Sequence, residues 1–379
     1  MTFRIYIQCE DCNEQYMVRY GLGNKFPQEA SFQCQNCTKQ ITVGYFEYGS
    51  DLTCKGARSI DEAQLKKDKE PTVQNLHPEL PIDKSSASDP THFQVLYDID
   101  KILKNSNEHE FRLAQAQLVE FENSWKELEP SFRILVNVSE EKLKDVFNKE
   151  PKEFYSEFYE WAMLFLSGKW GEKSQNFIDY AQLHLSAHLI EYVKQNKTNL
   201  LHKIFDICTT YMNGYSDFQR TILLQKLDSK HNNDVNTNVN WNNISKVYGD
   251  LYELVGDLFL IPTMLNNLEQ GRNFDGFNSV GFTLDKYLAS DKANRAVNFE
   301  TNSESSFLKN YFFAWLRNGT HHKNCKLVNG GEEIELGTGK GGKNIKNIPL
   351  VEYLESCNNL FASGLTISLV IIKILKENT

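Results

Sequence analysis

Residues 349–375 run PLVEYLESCNNLFASGLTISLVIIKIL. Apolar side chains recur at Leu350, Leu354, Cys357, Phe361, Ile367, Ile371 and Ile374, with Pro349 near the first turn, so the segment predicts one long helix. Its most apolar part, 360–375, is only sixteen residues and contains Ser363, Thr366, Ser368 and Lys373. A bilayer core takes roughly 20 residues, so the expectation is a helix buried in protein, with no membrane partner. Just upstream, Lys326-Leu327-Val328, an Asn329-Gly330 turn and the alternating Glu333-Ile334-Glu335-Leu336 predict a short hairpin. A helix is expected after Ser303, through Phe307, Tyr311, Ala314 and Trp315, with Gly319 as its stop signal. An earlier one runs through Val247, Leu251, Leu254, Val255 and Leu258 and is interrupted or ended by Pro262.

An asparagine-heavy stretch, 228–243, separates these elements from a middle set of helices. There Phe154, Phe158, Trp161 and Phe165 recur at helix-face spacing, a stripe whose ordinary meaning is core packing. Residues 51–92 are polar and carry Pro71, Pro78, Pro81 and Pro90 with the run Lys84-Ser85-Ser86-Ala87-Ser88, so they read as a linker. Near the start, Phe3, Ile5 and Ile7 alternate with polar neighbours, as in a half-buried strand. The expected fold is therefore mainly α, divided into a β module at 1–50, a linker at 51–92, a helical middle domain at 93–235 and a helical domain at 236–379.

The chain has 379 residues, room for two or three domains. Its 41 basic and 50 acidic residues give a net charge of −9. That excludes a broadly basic nucleic-acid wrapper, and any phosphate contact must come from a local patch. The first residues contain no apolar signal core, and eight cysteines are too few for a disulfide scaffold of this size. The expected compartment is the reducing cytoplasm.

Half of those cysteines are bunched. Cys9-Glu10-Asp11-Cys12 and Cys34-Gln35-Asn36-Cys37 are two C-x2-C pairs separated by twenty-one residues. Four thiolates satisfy tetrahedral zinc, and each two-residue gap lets one tight turn aim both sulfurs at one ion. Such a closed site is structural rather than catalytic. With Tyr16-Met17-Val18 after the first pair and Phe32 before the second, residues 4–46 resemble the small bacterial zinc-ribbon finger. They depart from it in lacking a proline inside and a glycine after each pair. Cys54, Cys208, Cys325 and Cys357 have no such partners and read as ordinary core or surface residues.

Two other motifs fail on context. Residues 337–343 (Gly-Thr-Gly-Lys-Gly-Gly-Lys) match G-x4-G-K, but Asn344 stands where a phosphate loop needs Ser or Thr, and no helix starts at once. His184 and His188 sit four apart on an expected helix, yet Leu185 occupies the glutamate position of a zincin.

Leu316-Arg317-Asn318-Gly319-Thr320-His321-His322 closes an amphipathic helix and combines groups that phosphodiester chemistry uses. An arginine fork holds a phosphate and its transition-state charge, a histidine moves a proton near neutral pH, and an asparagine orients either. Cleavage of RNA by its own 2′-hydroxyl asks for these groups and no metal. Arginine and histidine near a helix end also serve as plain C-terminal caps.

Arg317-Asn318-x-x-x-His322 resembles the R-x4-6-H signature of the HEPN superfamily, over roughly residues 240–379. The resemblance implies a mainly α architecture whose C-terminal part is a HEPN-like bundle, usually dimeric. It further implies a metal-independent endoribonuclease acting as a toxin or in abortive infection and antiviral defence. Arg317 would then hold the scissile phosphate, Asn318 would position the phosphate or the histidine, and His322 would be the general acid or base. His321 competes for that last role, since on an ideal helix it shares the face of Arg317 while His322 is turned by about 140°. Gly319 is expected to end the helix and let the loop bring His322 inward. Lys323, Lys326, Lys340, Lys343 and Lys346 would supply a local positive field, and Glu253 and Asp257 could face the same cleft. The expected partners are an RNA substrate, a second copy of the chain, and a protein or nucleic-acid ligand of the ribbon. The alternative is a non-catalytic zinc-ribbon and helical protein that binds such a partner.

Overall fold

Two knuckles of the same shape organise the N-terminal part of the computed structural model, which describes residues 2–21, 27–45, 52–66, 70–76, 108–227, 239–277, 282–321, 325–328, 333–338 and 344–378. Strands β1 (Thr2–Cys9) and β2 (Gln15–Gly21) pair antiparallel, as do β3 (Gln28–Gln33) and β4 (Gln40–Tyr45). In each tip the fourth residue after the first cysteine turns left-handed, Asn13 and Thr38 both at φ 60°. Its amide donates back to the carbonyl of Cys9 or Cys34, at 3.1 and 2.8 Å. Asparagine tolerates that conformation and threonine does so only under constraint, which is where a glycine would be the easy choice.

The stretch expected as a linker from residue 51 instead continues the module. Strands β5 (Thr53–Lys55), β6 (Ala57–Ile60) and β7 (Thr72–Leu76) complete two sheets, ordered β6-β1-β2-β7 and β3-β4-β5. Gly56 makes the tight step between β5 and β6 at φ +77°, where a Cβ would stand 2.3 Å from the carbonyl oxygen of Gln40. Proline and polar content misled the reading because these strands are held by backbone pairing. Gln74 and Asn75 are buried in β7 beside Val73 and Leu76. The expected boundary at residue 50 therefore moves to at least residue 76, and residues 77–92 lie outside those described.

The rest is helical, which makes the chain mainly α as expected. The first set comprises α1 (Glu108–Asn137), α2 (Glu140–Phe147), α3 (Pro151–Leu166), α4 (Gly171–Leu183), α5 (Ala187–Gln195), α6 (Lys197–Met212) and α7 (Tyr215–Lys226). Then follow α8 (Trp241–Ile244), α9 (Val247–Leu258), α10 (Leu260–Glu269), α11 (Leu284–Leu288) and α12 (Lys292–Arg295). Local chemistry sets several boundaries. The Ser139 and Ser186 hydroxyls accept from the amides of Lys142 and Leu189, and Pro151 occupies the first position of α3. The aromatic stripe of α3 is buried as predicted, with Trp161 stacked on Phe121 at 4.8 Å and its indole N–H donating to the Phe121 carbonyl.

The C-terminal half departs from expectation at two places. Instead of one helix stopping at Gly319, there is a 3-10 turn at Ser306–Lys309 and then α13 (Ala314–His321), which runs through Gly319. That glycine serves close packing rather than capping, because a Cβ there would lie 2.8 Å from Cδ2 of the buried Leu336. The hairpin has a third strand, giving the order β10-β9-β8 for β8 (Cys325–Val328), β9 (Glu333–Thr338) and β10 (Asn344–Pro349). The expected Asn329-Gly330 turn lies outside the described residues.

The last helix, α14 (Leu350–Glu377), is buried over nearly its whole length and packs against α3, α4, α5, α6, α7 and α9. It is long and apolar enough to cross a membrane by length and composition, but its surface is covered by protein. The boundary expected at 235/236 consequently separates no cores, since one hydrophobic cluster extends from Leu118 to Leu375. Phe361 stacks on Tyr211 at 3.9 Å, and the Ser174 and Thr366 hydroxyls bond at 2.7 Å. Asn358 accepts from the Tyr211 hydroxyl at 2.7 Å and donates to Thr221 at 3.0 Å and Gln225 at 2.8 Å. Asn358→Ala is expected to lower unfolding stability by about 2–4 kcal/mol, because it strands three buried polar groups. Denaturant titration followed by circular dichroism checks this, and an unchanged midpoint would refute the network's role.

Candidate functional site

The knuckles bring Cys9, Cys12, Cys34 and Cys37 together, with all four sulfurs within 4.8 Å of one another. Cys9 lies 3.6 Å from Cys37, and Cys12 lies 3.4 Å from Cys34. A tetrahedral ion with metal–sulfur bonds of about 2.3 Å needs sulfurs about 3.8 Å apart, so the set fits one metal ion. Tyr16, on β2, donates its hydroxyl to Cys34 Sγ at 3.1 Å and accepts from the Gln35 amide at 2.8 Å. Burial opposes the Cys34 thiolate, but hydrogen bonds from Tyr16 and the amides of Cys37 and Asn36 outweigh it and bring the group down to about 6. The Lys39 amide favours the Cys37 thiolate, yet burial and the three neighbouring sulfurs push that group up to about 12. Crowded thiolates repel one another, and a bound cation would offset that repulsion. Cys54, Cys208, Cys325 and Cys357 are free cysteines elsewhere in the chain, and the four clustered sulfurs are the sole metal-ligand group among the described residues.

At the other candidate site, α13 packs on α9 and β9. Arg317 donates from Nε to Glu253 Oε1 at 2.7 Å, places its second terminal nitrogen 2.7 Å from the same oxygen, and donates from the first to Asn318 Oδ1 at 3.0 Å. About a quarter of the Arg317 side chain remains exposed. Arg317 and Asn318 are thus together, and Glu253 is the acidic residue that meets them. His321 is the final residue of α13, and His322 falls outside the described residues. Since α13 continues past Gly319, the predicted inward turn of the loop does not begin at that glycine.

Asp257, one turn further along α9, faces cations rather than Arg317. Its carboxylate contacts Lys203 on α6 at 2.6 Å, and both Lys292 and Arg295 on α12, the latter at 2.6 Å. Burial and the neighbouring Arg295 and Lys203 charges pull Lys292 down to about 8. Burial and Arg295 likewise lower Lys203. Sequence reasoning missed these three cations, because they are up to 92 positions apart (295 − 203) and match no motif. Among the lysines expected to make the field, Lys326 pairs with Glu335 and Lys346 stacks over the Trp315 ring at 3.4 Å. Lys323, Lys340 and Lys343 lie outside the described residues.

The two rejected motifs have structural counterparts. Thr338 and Asn344 are antiparallel partners, so a strand and not a phosphate-binding helix begins at Asn344, while residues 339–343 lie outside those described. His184 caps the end of α4 with its ring 4.8 Å from Tyr180, while His188 belongs to α5, so the pair is not on one helix. No protein-family model matches the chain, and no significant similarity to a curated protein or a solved structure is found.

Purified protein is expected to carry about one equivalent of metal, and Cys34→Ser or Cys37→Ser to lose it. Tyr16→Phe, which removes the donor to Cys34, is expected to raise the rate of metal loss to a chelator about tenfold. Elemental analysis and a chelator time course read both outcomes. Undiminished metal in the cysteine variants would overturn the assignment.

Proposed function

We propose that the chain is a metal-independent endoribonuclease of the HEPN type, with a zinc-bearing ribbon at its N-terminus. The observation that carries the reading is the constrained but still accessible guanidinium of Arg317, with Asn318 bonded to it and two histidines next in the chain. A guanidinium has five N–H donors. Glu253 and Asn318 take three of them, which leaves one on each terminal nitrogen for two phosphate oxygens.

In this reading Arg317 grips the scissile phosphodiester and offsets the charge that builds on it. The substrate's 2′-hydroxyl forms the new bond to phosphorus as the bond to the 5′-oxygen breaks. His322, or His321 in its place, takes the 2′-proton or protonates the departing oxygen. The products are a 2′,3′-cyclic phosphate and a free 5′-hydroxyl. Asn318 fixes the guanidinium that fixes the phosphate. A homodimer would set two such groups in one cleft, and a toxin or abortive-infection effector in the cytoplasm is the biological setting that fits. Zinc is the metal that four thiolates at this spacing favour, and it would stabilise a ribbon that grips a protein or nucleic acid.

One observation favours a second reading. The Arg317–Glu253 pair joins α13 to α9, so Arg317 can also be a structural tie in a non-catalytic binding protein. Arg317→Ala and His322→Ala separate the readings. Each is expected to lower RNA cleavage by about 10²–10⁴-fold while the chain remains folded. Fragment ends and cell growth on expression are the measurements. Cleavage by both variants at the wild-type rate would sink the nuclease.

A further inference from the structure

An ion pair needs one cation for one carboxylate, yet Asp257 holds three. Its Oδ2 accepts from Lys203, and its Oδ1 accepts from Lys292 and from Arg295. Arg295 is the anchor. It is only 4 % exposed, and it also donates to the backbone carbonyl of Leu288 at 2.5 Å. Its Nε is buried without a partner. The two lysines are the accessible members, with 27 % and 21 % of their side chains exposed. Each ammonium has three donors. Each spends one on Asp257, which leaves four N–H groups for another acceptor.

The fold makes room for this crowding. Gly256 lets α12 approach α9, since a Cβ there would stand 3.1 Å from the Lys292 Cβ. The acidic groups nearby offset part of that charge, Asp206 at Lys203 and Glu253 at Lys292 and Arg295. Glu253 is already engaged by Arg317, and Asp206 and Asp291 are exposed to solvent. Burial first, and then the repulsion between charges packed this way, lowers the affinity of Lys203 and Lys292 for their protons. An anion between the two ammonium groups would relieve that repulsion.

We infer that Lys203 and Lys292, held by Asp257 and Arg295, form a phosphate subsite for the RNA strand. Glu253 and Asp257 are four residues apart on α9, so the residues that hold Arg317 and the lysines follow one another at about 6 Å along the helix axis. A strand whose scissile phosphate sits at Arg317 would place a flanking phosphate on the lysines. Such a phosphate would meet the N–H groups that the two lysines have not given to Asp257. The inference rests on the ribonuclease reading for its ligand, and its test is chosen so that the two can fail separately.

The experiment measures binding of a single-stranded 20-nucleotide RNA to the full chain by fluorescence anisotropy across a salt series. The His322→Ala background limits cleavage during the measurement. Adding Lys203→Gln and Lys292→Gln is expected to weaken binding at least tenfold near 0.1 M salt. The salt slope should fall by about 1.4, from two lost phosphate contacts on a single strand. Should the double change lower the melting temperature, Lys203→Gln alone, at the more exposed position, is expected to give about half the slope change. Unchanged affinity and slope in a folded variant would overturn the subsite, as would inorganic pyrophosphate binding at the lysines with no RNA binding. If Arg317→Ala and His322→Ala both cleave as well as wild type while RNA binding still depends on the lysines, the catalytic assignment fails and the subsite stands.

Discussion

Everything in the helical body leans on the burial of α14 and on the few polar groups it carries inside. A helix this apolar can be dry only if protein surrounds it, and six other helices do so. Asn358 and Asn359 turn that covering into a specific arrangement. A buried amide left without partners costs about 1–3 kcal/mol, so Tyr211, Thr221 and Gln225 must meet Asn358, and Trp170 must meet Asn359. Ser363, Thr366 and Ser368 return their hydroxyls to the carbonyl four residues back and leave slim surfaces for neighbours. Gly364 lets α9 come close, with a Cβ there only 3.0 Å from Val255.

This close seat for α9 links the core to the chemistry proposed at the surface. One side of α9 carries Val255 and Leu251 into the core, while Glu253 and Asp257 point towards α13 on one hand and α6 and α12 on the other. Four basic side chains from three elements are thereby brought to one strip. A net charge of −9 is spread over the whole surface, whereas this strip is set by which helices touch. The N-terminal module is built on different terms. Its strands are short and several of their buried side chains are polar, and four sulfurs placed to hold one ion offer the cross-link that a small β core lacks.

Several parts of this were legible in the residues. The two C-x2-C pairs located the metal centre because tetrahedral ligation leaves a short and regular trace in the chain. The aromatic stripe of α3 and the apolar run of α14 declared themselves because burial on a helix repeats every three or four positions. Strands β5 to β7 were read as linker, since backbone pairing leaves no such repeat when the side chains are polar. Gly319 was read as a stop, since a glycine that ends a helix and one that admits a neighbouring strand look alike in one dimension.

By itself, then, the chain's sequence determined which four cysteines could hold a metal ion and the mainly helical class, both of which rest on short, regular spacings in the chain. Tertiary structure alone decided that the middle and C-terminal helices share a core, that Glu253 is the partner of Arg317, and that Lys203, Lys292 and Arg295 converge on Asp257. The physical reason is range. Metal turns and helix faces are specified within a few residues, whereas charge pairing between helices depends on packing that the whole core must settle first.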